Sequence, residues 1–172
     1  MANRPPPTAR PLDSATLDRL ALHYVARYAT TRAKLARYLA RKIADRGWAG
    51  DVAADPEAIA DRMTDRGYID DGAFARGKAD ALLRRGYGER RIGAALRDAG
   101  VAHVDRERDA AREWDAALAY ARRRRIGPYA AVQADRDAER RAVAAMLRAG
   151  HDFTTARRIV AAPPGEVPEP PC

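Results

Sequence analysis

Apolar residues recur along this chain at three- and four-residue steps, the spacing that gathers them on one side of an α-helix. Leu17, Leu20, Tyr24 and Tyr28 form the first such stripe, after Asp13 and Ser14, either of which can cap a helix. Leu35, Leu39 and Ile43 form the second after Thr30, and Gly47 supplies its stop. Asp55-Pro56-Glu57 is a third start signal: an acidic cap, proline at the first helical position and a carboxylate near the positive end of the dipole. Ile59 and Met63 follow on one face, and Gly67 ends that helix in the left-handed conformation.

Asp70-Asp71 then opens a helix whose apolar side is Phe74, Ala81 and Leu82, broken by Gly86-Tyr87-Gly88. Ile92, Ala95, Leu96 and Ala99 mark the next, ending at Gly100. Val104, Ala111, Trp114, Leu118 and Ala121 predict a longer helix that runs into Arg122–Arg125 and closes at Gly127-Pro128. Two further amphipathic stretches centre on Val143, Met146 and Leu147, then on Ile159 and Val160. With no alternating strand pattern, the expected class is all-α.

The stripes repeat. Arg90-Arg91-Ile92 leading to Leu96 and Gly100 returns fifty residues later as Arg140-Arg141-Ala142 leading to Met146 and Gly150, and a looser copy runs from Thr31-Arg32 to Gly47-Trp48. Short helices cannot bury their apolar faces alone, so stacked units are expected. The division is a proline-rich, disordered tail over 1–12, helical repeats over 13–55, 56–102 and 103–162, and a second such tail over 163–172. This reading gives stacked units of about three helices each, sharing a continuous apolar seam.

Composition sharpens the picture. The 172 residues hold 32 basic and 24 acidic side chains, a net charge of +8, which favours a polyanionic or acidic partner. Only Lys34, Lys42 and Lys78 are lysines, so arginine abundance also reflects a GC-rich coding bias and position must carry the case. Between residues 76 and 97, Arg76, Lys78, Arg84, Arg85, Arg90, Arg91 and Arg97 face only Asp80 and Glu89, a net +5. The Gly-Tyr-Gly connection is expected to hold Arg84, Arg85, Arg90 and Arg91 at one corner, suited to phosphates or carboxylates, with Tyr87 able to stack on a base or a partner's side chain.

Other chemistry is sparse. Asp70-Asp71 reads as a cap and a first-turn acid rather than a catalytic pair, and His23, His103 and His151 have no ligand spacing and read as surface or boundary residues. Ser14 is the only serine, Cys172 the only cysteine, and no glycine loop matches a nucleotide fingerprint. The expectation is a non-enzyme without cofactor or metal. With no apolar run of membrane-spanning length and no secretory leader, the expected location is the cytoplasm, away from membranes.

Gly67-Tyr68-Ile69-Asp70-Asp71, Phe74-Ala75, Arg85-Gly86-Tyr87-Gly88, Arg91-Ile92, Leu96-Arg97 and Gly100-Val101 together closely resemble the RecX regulatory protein family, with weaker correspondences across residues 15 to 161. Two stretches depart from its commonest pattern: Asp51–Pro56 lengthens a connection and Gln133–Glu139 falls in an enlarged loop. The resemblance implies three tandem three-helix repeats forming an elongated, curved helical stack. It also implies a monomeric regulator that binds the RecA recombinase filament on single-stranded DNA and inhibits strand exchange, ATP hydrolysis and co-protease activity, thereby modulating recombination, DNA repair and the SOS response. The competing reading is a direct DNA-binding helical module, recognised by a steep loss of affinity with salt in the absence of recombinase.

Overall fold

The computed structural model describes residues 10–101, 103 and 107–170. Among them the chain forms eight α-helices and no strand: α1 (Ser14–Arg27), α2 (Arg32–Arg46), α3 (Pro56–Asp65), α4 (Asp71–Arg84), α5 (Glu89–Asp98), α6 (Ala110–Arg124), α7 (Arg136–Arg148) and α8 (Phe153–Ala161), with a 3-10 turn at Gly127–Tyr129. The all-α expectation holds.

Side-chain oxygens set where these helices begin. Asp13 accepts from the Thr16 amide at 2.8 Å, Asp55 from Ala58 at 3.0 Å, Asp70 from Ala73 at 2.7 Å and Asp152 from Thr155 at 2.9 Å. Each satisfies one of the donors that a helix start leaves open. Asp13 rather than Ser14 is the first cap, and Asp70 caps α4 as its position suggested. Two boundaries differ from expectation. Asp135 caps α7, so Arg136–Glu139 is its first turn rather than loop; four of the seven residues Gln133–Glu139 are charged, which hides a helix start from an apolar count. α6 begins at Ala110 behind the Asp109 cap, and Val104 lies outside the described residues.

The chain divides into two compact units, the first running up to Phe74 together with Ala99–Val101, the second comprising Ala75–Asp98 and the chain beyond Val101. In the first, Leu17, Leu35, Leu39, Ile59, Met63 and Ile69 pack from α1, α2, α3 and the turn after α3. Leu12 joins them at 0% exposure. Its amide donates to the Gly47 carbonyl and its carbonyl accepts from Ala49, a lone parallel bridge beside Trp48. Leu12 therefore belongs to the first core, because one leucine among prolines and polar residues still gains about 2 kcal/mol by burial.

The start of α2 is the most densely bonded point of this unit. The buried Thr31 hydroxyl donates to the Ala99 carbonyl at 2.6 Å and accepts from the Lys34 amide at 3.1 Å. Asp71 accepts from the Arg32 amide at 3.0 Å, so this carboxylate does more than face its own helix dipole. Gly100, at φ +77°, lies so close to Ala33 that a side chain there would overlap it.

The second unit centres on Trp114, Tyr120, Ile126, Met146, Ile159 and Val160. Past α8, Pro163–Pro170 carries no helix, yet the Gly165 amide donates to the Pro128 carbonyl at 2.9 Å. The expected disordered tail is thus anchored at one point, where proline-rich backbone with few donors of its own meets an open carbonyl.

Candidate partner-binding site

α5 turns Ile92 and Leu96 inward, both buried, and leaves Arg90, Arg91 and Arg97 exposed. Arg90 and Arg97 stand seven residues apart, two helical turns, so they share a face on which Gly93 and Ala94 present almost no side chain between them. That face borders a groove of about 580 Å³ whose opposite wall is the end of α7, Leu147, Arg148 and Gly150.

Backbone groups build the groove. The Gly88 amide donates to the Ala149 carbonyl and the Arg90 amide to the Gly150 carbonyl, each at 3.0 Å. A side chain on Gly88 would overlap the Gly150 carbonyl, and one on Gly150, at φ +99°, would overlap the Arg91 backbone. Two glycines therefore let the end of α7 rest on the start of α5, which brings Arg148 beside the α5 arginines. Arg148 was not legible as a site residue. The repeat that aligns Gly150 with Gly100 was the one signal pointing to that helix end.

The expected corner is divided. Arg90 and Arg91 line the groove and Arg97 joins them. Arg84 lines a separate hollow with Leu83, Arg112 and Asp115, and Arg76 another with Asp80 and Arg112. Lys78 and Arg85 are exposed, and the Arg85 carbonyl accepts from the Arg123 guanidinium. Tyr87 is half-buried against the second core, with the Arg91 guanidinium 4.5 Å from its ring centroid. Its ring supports Arg91.

Ion pairs and ring contacts occupy some of the chain's other arginines. Arg32 binds Glu57 and Asp61, Arg62 binds Asp18, Arg108 grips Glu113 through two hydrogen bonds, and Arg112 binds Asp80. Arg122 and Arg124 of the four-arginine run lie over Tyr129 and Tyr120, and Arg125 ends α6 in the left-handed conformation. Arg90, Arg97 and Arg148 have no ion-pair partner among the described residues. Three guanidiniums without ion-pair partners, on a groove that Glu89 also lines, can bind phosphate or carboxylate oxygens.

His151 departs from expectation. At 4% exposure it is buried, its Nε2 3.2 Å from the Gly86 carbonyl and its ring 5.7 Å from Tyr120. Burial holds its pKa below the usual value, although the Gly86 carbonyl and the nearby Asp152 and Glu113 carboxylates favour the proton. The unfolded chain therefore binds that proton first as pH falls. Stability is full above the unfolded value, about pH 6.5, and declines as pH drops from there towards the lowered native value. Denaturant melts at about pH 7.5 and 5.5 check this: His151→Gln, which keeps a donor for Gly86, is expected to flatten the wild-type difference.

Among the described residues no His, Cys, Asp and Glu side chains gather in a metal-binding group, and no helix is long and apolar enough to cross a membrane. No family model matches the chain, and no solved structure matches it. Curated proteins do. The chain is 34% identical to Regulatory protein RecX of Myxococcus xanthus, an alignment covering 91% of this chain and 90% of that protein. It is 36% identical to Regulatory protein RecX of Halorhodospira halophila over 83% of this chain and 84% of that one. For Regulatory protein RecX of Mycolicibacterium vanbaalenii the identity is 33%, over 79% and 78%.

Proposed function

Because the chain belongs to the RecX family of regulatory proteins, we propose that it controls the RecA recombinase filament, binding it on single-stranded DNA and inhibiting its strand exchange, ATP hydrolysis and co-protease activities. The observation that carries this reading is the α5–α7 groove, which gathers Arg90, Arg97 and Arg148, none with an ion-pair partner among the described residues. A filament offers carboxylates on its protein surface and phosphates on its DNA, and both suit planar guanidiniums.

Such a regulator needs no catalytic group. It acts by binding one state of the filament better than another, and the shift it produces is limited by that difference in affinity. The work is done in the cytoplasm, on the recombination, repair and SOS activities of the filament. The similar docking of helix ends at Gly100 and Gly150 supports a repeated three-helix organisation, whose repeats would present their exposed faces to successive subunits.

Inhibition of RecA-dependent ATP hydrolysis on single-stranded DNA tests the reading. Arg90→Glu combined with Arg97→Glu is expected to raise the concentration needed for half-inhibition at least about tenfold, since each lost charged contact contributes about 1.5 kcal/mol or more. Unchanged inhibition by a variant that keeps its helical spectrum and melting temperature removes the groove from the mechanism.

A further inference from the structure

A second basic surface lies in the first unit, and the recombinase reading does not use it. α2 carries Arg32, Lys34, Arg37, Arg41, Lys42 and Arg46 against Asp45 alone, a net +5 in 15 residues. This equals the excess of the 76–97 segment in fewer residues. Beside this helix three tyrosines stand in a row. Tyr24 of α1 stacks on Tyr38 of α2 with ring centroids 4.2 Å apart and planes inclined by 22°, and Tyr28 follows at 5.2 Å from Tyr24 with its ring tilted by 50°. Lys42 lies 5.5 Å from the Tyr38 centroid and Arg27 5.9 Å from that of Tyr28.

The core accounts for part of this row. Tyr24 and Tyr38 pack on the first apolar cluster, but Tyr28 lies outside it and is 51% exposed. Tyr28 ends α1 in an extended conformation, its amide donating to the Tyr24 carbonyl, and its tilted ring stands at the open end of the row. A row of rings with one free end, edged by cations, has the composition of a base-stacking platform. Aromatic faces accept any base, and the cations track the phosphates.

We infer that the Tyr38–Tyr24–Tyr28 row binds single-stranded nucleic acid directly, a base stacking on Tyr28 while Arg27, Arg41 and Lys42 meet the backbone phosphates. Unpaired bases are required, because in a duplex both faces of each base are already covered. The inference stands apart from the recombinase reading, and its test contains no recombinase.

Fluorescence anisotropy with a labelled oligothymidylate of about 16 nucleotides, the upper end of the usual site size, measures it. The full chain is expected to bind the strand more tightly than a duplex of equal length. Tyr28→Ala is expected to weaken strand binding about tenfold with little change in melting temperature, while Tyr28→Trp retains it and shows quenched tryptophan emission. Lys42→Ala is expected to reduce the slope of log affinity against log salt by about 0.7. The inference is overturned if the unaltered chain does not bind the strand, or if folded Tyr28→Ala binds it as well as the unaltered chain. It is equally overturned if Arg90→Glu with Arg97→Glu abolishes binding and Tyr28→Ala leaves it unchanged, which assigns the strand to the other groove.

Discussion

Gly88→Ala is expected to destabilise the protein by about 3 kcal/mol or more, read as a lowered urea midpoint, because a single methyl group separates the two helix ends that form the basic groove. The methyl carbon would occupy the position of the Gly150 carbonyl, and that neighbour is backbone, which cannot rotate aside. Relief requires moving α7 away from α5, which breaks the amide bonds from Gly88 to Ala149 and from Arg90 to Gly150. Gly77→Ala is the control. Gly77 lies within α4 with open space where a methyl group would go, so the same change there is expected to stabilise by about 0.5–1 kcal/mol. Equal effects at both sites would refute the packing account.

Thr31→Val carries the second large effect, about 2–3 kcal/mol of lost stability, although it changes no volume. The hydroxyl caps α2 through the part-buried Lys34 amide and donates to the buried Ala99 carbonyl. Valine leaves the amide uncapped and strands a buried carbonyl. Thr31→Ser is expected to recover most of the loss, which separates the hydroxyl's role from the methyl's.

These two sites also mark where the sequence could and could not be read. The helices followed from local signals, Asp55-Pro56 at one start and Gly47 and Gly67 at two ends, because capping and left-handed turns are decided within four residues. What stayed hidden was set at long range. Leu12 reads as part of a tail until Gly47 and Ala49 provide the backbone it pairs with, and His151 reads as a surface residue until the Gly86 carbonyl is found above it.

The candidate site was half legible for the same reason. Arg90, Arg91 and Arg97 were visible as a local excess of charge, whereas Arg148 enters only through the contact of Gly88 with Gly150, sixty-two positions apart. The α2 arginines and lysines were passed over because their helix was legible as an amphipathic stripe. Which arginines are neutralised depends on where acids such as Asp61 and Glu113 fold.

The junction at Gly150 relies largely on main-chain atoms and on the absence of side chains. A contact of that kind asks little of the residues around it, so faces on either side are free to diverge. It also travels with the segment that encodes it: a duplicated stretch arrives with its own glycine-terminated helix and its own receptive helix start. A chain organised this way can lengthen by copying, without a new interface having to evolve first.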